Sequence, residues 1–366
     1  MIIKNGLVYQ EDKTFGKKDL YIEDGKIVAG LEEVKDRTEV DAEGLYVLPG
    51  LVDVHSHGAV GCDFSDGDLE GLRKILAYEH SCGVTSYCPT SMTIDTDELR
   101  KIFRAMGDFV EGPGMAHVAG INMEGPFLDV NKKGAHLAEF ILAPDVDFFR
   151  ECNRACGNKI RLVTLAPNVE GAFGFIEALR DEVVISLGHT GADYETSKAA
   201  LKAGANHVTH LCNAMMPLEH RKPGLIGAAS EDEGCSPELI SDGIHVHESM
   251  VRAVFKLFPG RVVLISDSMR ATGMADGTYD LGGQQVTVNG KLATLADGTI
   301  AGSATNLYDC MRTAVSFGIP KEEAIAAATM NPAKSIGIYD EVGSLAPGKR
   351  ADVVLADQDL KLVRVL

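Results

Sequence analysis

From residue 47 to about residue 340, apolar runs the length of a strand alternate with stretches whose apolar residues recur at helical spacing. No other feature of the chain restricts its fold as much. A strand followed by an amphipathic crossover helix can pair with its successor only in parallel. The strand-like runs are Val47–Val54, Val84–Cys88, Val118–Met123, Ile160–Leu165, Val183–Leu187, His207–Leu211, Leu239–Ile244 and Val262–Ser266. After the second run, Leu99, Ile102, Phe103, Met106, Phe109 and Val110 line one face of a helix over residues 97–111. Eight such units predict a (β/α)8 TIM barrel over residues 47–340, lengthened by a hairpin between Gly273 and Ala301, where Asp-Gly occurs twice and Gly-Gly once.

The two ends of the chain read differently. Residues 1–46 hold short strand candidates with tight turns, such as Ile2-Ile3-Lys4, Leu20-Tyr21-Ile22 and Lys26-Ile27-Val28 after Asp24-Gly25. Residues 341–366 hold Asp352-Val353-Val354-Leu355 after Pro347-Gly348. Two or three strands with an uncovered face are marginal on their own. The ends are therefore expected to meet in one small β-sandwich domain.

The 35 Lys+Arg residues against 53 Asp+Glu give a net charge of −18. That balance opposes nucleic acid, whose affinity comes from cations on phosphates, and anionic membranes for the same reason. A small anionic substrate stays possible, since one local cationic pocket overrides a diffuse field. No apolar run approaches a membrane span, and Met1 to Gln10 lacks the pattern of a signal peptide. With eight cysteines and no Cys-x-x-Cys, the expected compartment is the reducing cytoplasm.

In a barrel of this kind the chemistry sits where strands end. The first strand ends Asp53-Val54-His55-Ser56-His57, and the two-residue period of a strand sends His55 and His57 to one side as a pair of metal ligands. The third ends Asn122-Met123-Glu124, a carboxylate in the mouth that requires a cation. The fifth, sixth and eighth end at His189, His210 and Asp267. Imidazoles and carboxylates with an open position are the ligand set of a catalytic Zn2+ or Fe2+ site, which lowers the pKa of water to about 7 and so favours hydrolysis. Asp267 could then carry a proton from water to a leaving group, or simply cap the turn after the strand.

Several segments together resemble the amidohydrolase superfamily. They are Leu48-Pro49-Gly50-Leu51-Val52-Asp53 with His55-x-His57, Met123-Glu124-Gly125-Pro126-Phe127, Lys133-Gly134-Ala135-His136, Leu187-Gly188-His189-Thr190, His210-Leu211-Cys212-Asn213-Ala214, Ser241-Asp242-Gly243-Ile244-His245, Ser266-Asp267-Ser268 and Gly343-Ser344-Leu345-Ala346-Pro347-Gly348. The set spans nearly the whole chain and is similar, within that superfamily, to the deacetylases of N-acetylated amino-sugar phosphates. The resemblance implies that Glu124, His189 and His210 hold a catalytic metal, with Asp267 as general acid/base. His55 and His57 would bind a second ion, with Glu124 bridging. The fourth strand ends Leu165-Ala166-Pro167-Asn168 and offers no lysine for that bridge.

By the same resemblance, His136 would face the sugar and polarise the acetyl carbonyl. Asn213, the backbone of Ala214, Arg221 and His245 would receive the phosphate of a small sugar-phosphate substrate. The residues alone also allow Arg221 to be a solvated surface group and His136 and His245 to be loop or core histidines. The implied activity is deacetylation of N-acetyl-D-glucosamine 6-phosphate, in amino-sugar catabolism or cell-wall recycling, by a homodimer with one or two divalent ions per subunit. The galactosamine epimer, another amidohydrolase substrate, and a catalytically silent sugar-phosphate scaffold are the alternatives.

Overall fold

A computed structural model describes residues 1–366. Eight parallel strands form the barrel: β1 Leu51–Ser56, β2 Val84–Ser91, β3 Ile121–Glu124, β4 Ile160–Leu165, β5 Val184–Leu187, β6 His207–Val208, β7 Ser236–Ile240 and β8 Val263–Ile265. Each pairs with the next in order from β1 to β8. Beyond β8 the ring is closed at its carboxyl end by backbone bonds: Asp267 N–H donates to the His55 carbonyl at 2.9 Å, and His57 N–H to that of Ser268 at 2.8 Å. The helices pack outside, among them α1 Leu69–Ser81, α2 Thr96–Ala105 and α3 Val146–Ala155. Asp68, Asp95 and Asp145 cap their N-termini with side-chain carboxylates, satisfying donors the helix leaves open. None of the helices is long and apolar enough to cross a membrane.

The two chain ends meet as expected. Tyr46–Pro49 pairs antiparallel with Val353–Ala356 inside a five-stranded sheet. A four-stranded sheet built from Ile2–Lys4, Leu20–Glu23, Lys26–Val28 and Glu39–Asp41 faces it. Ile3, Val8, Leu20, Ile27, Val47, Val353 and Leu355 fill the space between.

The strand expected over Val47–Val54 is two strands divided at Gly50, one in the sandwich and one in the barrel. A Cβ at Gly50 would lie 2.1 Å from Oγ1 of Thr85, so the crossing from one domain to the other needs a residue without a side chain. The seventh strand lies earlier than Leu239–Ile244, because the Asp242 carboxylate captures the N–H groups of Ile244 and His245 and turns the chain. The sixth stops at Val208, and His210 follows with φ 30°. The expected hairpin is a three-stranded antiparallel sheet, Gly277–Leu281, Gln284–Asn289 and Leu292–Thr294, inserted between β8 and α8 (Leu307–Ser316, counting outer helices in chain order). Its Leu281, Val286, Val288 and Ala293 pack on Met92 and Met269 at the barrel rim.

Candidate metal centre and substrate cavity

His55 is the penultimate residue of β1 and Glu124 the last of β3, while His57, His189, His210 and Asp267 follow β1, β5, β6 and β8. His189, His210 and Asp267 have φ of 46°, 30° and 47°, a region that side chains rarely occupy. Such strain persists where the surroundings over-determine it, and here it turns three side chains from the strand direction into the mouth. All six are buried.

Their reactive atoms converge. Nε2 of His189 and Nε2 of His210 lie 3.0 Å apart, and 3.1 and 3.0 Å from Oε1 of Glu124. Around the other oxygen, Nε2 of His57 is 3.2 Å from Oε2 of Glu124 and 3.4 Å from Oδ1 of Asp267. Nε2 of His55 is 3.5 Å from Oε1 of Glu124 and 3.6 Å from Oδ1 of Asp267.

The opposite ring nitrogens define the tautomers. Nδ1 of His57 donates to the Thr90 carbonyl at 3.1 Å, and Nδ1 of His189 to that of Lys132 at 2.8 Å. Nδ1 of His55 donates to Glu238 at 2.9 Å. In the neutral imidazole each Nε2 then presents a lone pair inward. Lone pairs and carboxylates turned toward one another at these distances repel unless a cation lies between them. Ligand atoms bound tetrahedrally at Zn2+ lengths stand roughly 3.3–3.6 Å apart, close to the spacings found. The donor set therefore fits divalent ions: His189, His210 and Glu124 on one side, His55, His57, Glu124 and Asp267 on the other.

Without a cation between them, protons on His55 and His57 supply the balancing positive charge. Burial alone would raise the carboxyl pKa of Glu124, but positive charge on His55, together with hydrogen bonds from His136 and His189, outweighs it and holds the group well below its usual range. Burial likewise opposes ionisation of Asp267, yet positive charge on His55 and His57, whose own pKa values the facing carboxylates raise against burial, brings its pKa down to about 2. Asp267 is thus a carboxylate at neutral pH, able to accept a proton.

His136, on the loop between β3 and α3, is buried 3.4 Å from Oε2 of Glu124. Its Nδ1 accepts the Thr93 N–H at 3.2 Å, so the ring proton sits on Nε2, facing the centre. Burial lowers its pKa to about 4 and keeps the ring neutral.

All of these groups but the fully buried His55 floor a cavity of about 540 Å3 that Asn213, Ala214 and His245 also line. Burial disfavours the charged form of His245, but a 2.8 Å bond from its Nδ1 to Asp242 wins and raises the pKa. Arg221 is not brought to this cavity: it is exposed in the loop before α6 (Gly224–Ser230). The lysines on the lining are Lys132, which sequence reasoning passed over, and Lys133, which it quoted in a motif without a role. Asp297, Thr299 and Ile300, beyond the last strand of the inserted sheet, form part of the wall. Sequence reasoning also missed Glu238, whose signal was a carboxylate inside the strand-like run Ser236-Pro237-Glu238-Leu239-Ile240.

The family model for the amidohydrolase family matches residues 46–364. An N-acetylglucosamine-6-phosphate deacetylase of Bacillus subtilis is 38% identical, over 99% of this chain and 94% of that protein. An N-acetylgalactosamine-6-phosphate deacetylase of Escherichia coli O157:H7 is 35% identical, over 94% of this chain and 92% of that protein. Among solved structures, a mutant N-acetyl-D-glucosamine-6-phosphate deacetylase from Mycobacterium smegmatis, in complex with N-acetyl-D-glucosamine-6-phosphate, superposes with a TM-score of 0.92 at 32% identity. The match covers 100% of this chain and 97% of that one.

Proposed function

The chain belongs to the amidohydrolase family, within it to the N-acetylglucosamine-6-phosphate deacetylases, and on that premise we propose that it hydrolyses N-acetyl-D-glucosamine 6-phosphate to D-glucosamine 6-phosphate and acetate. The observation that carries the reading is the convergence of Glu124, His189 and His210 to within 3.1 Å of one another at the floor of the cavity, beside the ionised Asp267.

Glu124, His189 and His210 would hold one divalent ion, Zn2+ or Fe2+, and His55 and His57 a second with Glu124 between them. When bound, such an ion lowers the pKa of water toward neutrality and polarises an amide carbonyl. His136 donates its Nε2–H to the acetyl oxygen, where negative charge develops as the carbonyl carbon becomes tetrahedral. Asp267 accepts a proton from the attacking water, then delivers it to the amine nitrogen as the C–N bond breaks. Because Asp267 is ionised before the attack, its first role is that of base, and it becomes the acid only by that transfer.

Asn213, the Ala214 backbone and the raised-pKa His245 receive the phosphate from one side of the cavity. Arg221, exposed on its loop outside this cavity, would supply a guanidinium matched to phosphate to the site of a second copy in a homodimer. The net charge of −18 favours neither nucleic acid nor an anionic membrane as partner, and the eight free thiols suit the cytoplasm.

The Escherichia coli relative supports a second reading, in which the galactosamine epimer is preferred. Acetate release from the two epimeric sugar phosphates, with elemental analysis of the same sample, tests both readings. Metal-dependent release with the higher kcat/KM on the glucosamine compound is expected. Absence of release from either overturns the proposal.

A further inference from the structure

Beneath the rim lies a carboxylate for which the proposed hydrolysis has no use. Glu238, in the middle of β7, is wholly shielded from solvent. Its Oε2 accepts two hydrogen bonds, from Nδ1–H of His55 at 2.9 Å and from the backbone N–H of His210 at 3.0 Å. Its Oε1 has no hydrogen-bond partner and stands 3.7 Å from Nδ1 of His207. The groups that pair with it within 4 Å are these imidazoles, with no lysine or arginine. An ionised group so placed is costly unless it is compensated.

The compensation differs from that of neighbouring rings. His57 and His189 rest their Nδ1–H groups on backbone carbonyls, whereas His55 rests its own on a side-chain carboxyl group. A carboxylate behind an imidazole fixes its tautomer and raises the basicity of the far nitrogen. That far nitrogen, Nε2 of His55, is buried with no hydrogen-bond partner, between Glu124 at 3.5 Å and Asp267 at 3.6 Å.

Resting on the metal-dependent reading above, we infer that Glu238 is the positioning residue that makes the first-strand pair His55 and His57 an ion-binding subsite. By accepting the hydrogen bond from Nδ1–H of His55 it holds the proton on that nitrogen and leaves Nε2 as a strong donor. With the same oxygen it holds the backbone of His210, so the ligand loops of the two subsites are tied to one buried carboxylate.

The test counts ions and needs no turnover. The metal-free full chain is titrated with Co2+ and its two affinities are read from visible absorbance and elemental analysis. Wild type should take up two ions per chain. Glu238→Gln, nearly equal in volume, should bind the first-strand ion 10- to 100-fold more weakly and change the other severalfold at most. In a His55→Ala background, where one ion remains, Glu238→Gln should have little further effect. Two ions at wild-type affinity in Glu238→Gln, or an equal loss with and without His55, overturns the inference while leaving the deacetylase reading intact. Uptake of one ion by wild type, unchanged by His55→Ala, overturns the two-subsite reading and the inference with it. Should Glu238→Gln fail to fold in chelator, nitrogen-15 spectra of the metal-loaded wild type decide. A protonated Nδ1 on His55, identified by its loss in His55→Ala, is expected, and a deprotonated one overturns the assignment.

Discussion

The interior of the terminal sandwich and the interior of the barrel are both buried, but they are made of different chemistry. Between the sandwich sheets the filling is aliphatic, from Ile3 and Val8 to Leu355. Inside the barrel mouth the wall is polar: Oγ1 of Thr209 bonds Oγ1 of Thr164 at 2.7 Å and Oγ of Ser186 at 2.6 Å, while Asn122 donates to the Val54 carbonyl and Glu238 holds His55. An aliphatic core stabilises by area removed from water and tolerates changes that conserve volume. A buried polar layer contributes little net stability, but each member left without its partner is costly, so it constrains orientation. The sandwich interior adds stability through buried area, and in the polar layer Glu238 fixes the orientation of His55.

Substitutions in each region should separate these roles. The largest effect is expected at Asp267. Asp267→Asn should lower acetate release 100- to 10,000-fold while leaving the ion at Glu124, His189 and His210 and the thermal midpoint near wild type. Turnover within a few-fold of wild type would remove Asp267 as the proton carrier. In the sandwich, Ile27→Ala should cost about 3 kcal/mol in urea unfolding and leave kcat per folded molecule unchanged. A fall in kcat comparable to that of Asp267→Asn would show that the two interiors are not independent.

A pH series sharpens the contrast. His136 has its pKa lowered to about 4 against an unfolded value near 6.5, so between these limits the unfolded chain binds the extra proton. Stability of the metal-free protein should therefore fall as pH drops from about 6.5 to 4, with His136 contributing on the order of 2–3 kcal/mol. In His136→Gln that portion of the slope should disappear, as seen by urea unfolding across the range. The smallest effect belongs to exposed Arg221. Arg221→Ala should raise KM for the phosphorylated sugar about tenfold and barely alter turnover of the unphosphorylated one. An unchanged KM would leave the phosphate to Lys132, Lys133 and His245.

What the sequence alone determined was whatever depends on local spacing. The alternation of strand and helix patterns gave a barrel, the short strands at both ends gave a sandwich, and the strand termini carried His55, His57, Glu124, His189, His210 and Asp267, because parallel strands all end at one mouth; the left-handed backbone that aims His189, His210 and Asp267 inward had no local signal. Only the tertiary structure decided which atoms meet. Glu238 reaches His55 across 183 residues, Thr93 sets the His136 tautomer across 43, the loop beyond the inserted sheet supplies part of the cavity wall, and Arg221 stays outside it. Those contacts follow from ring closure and strand register, which join segments that no local window of the sequence contains.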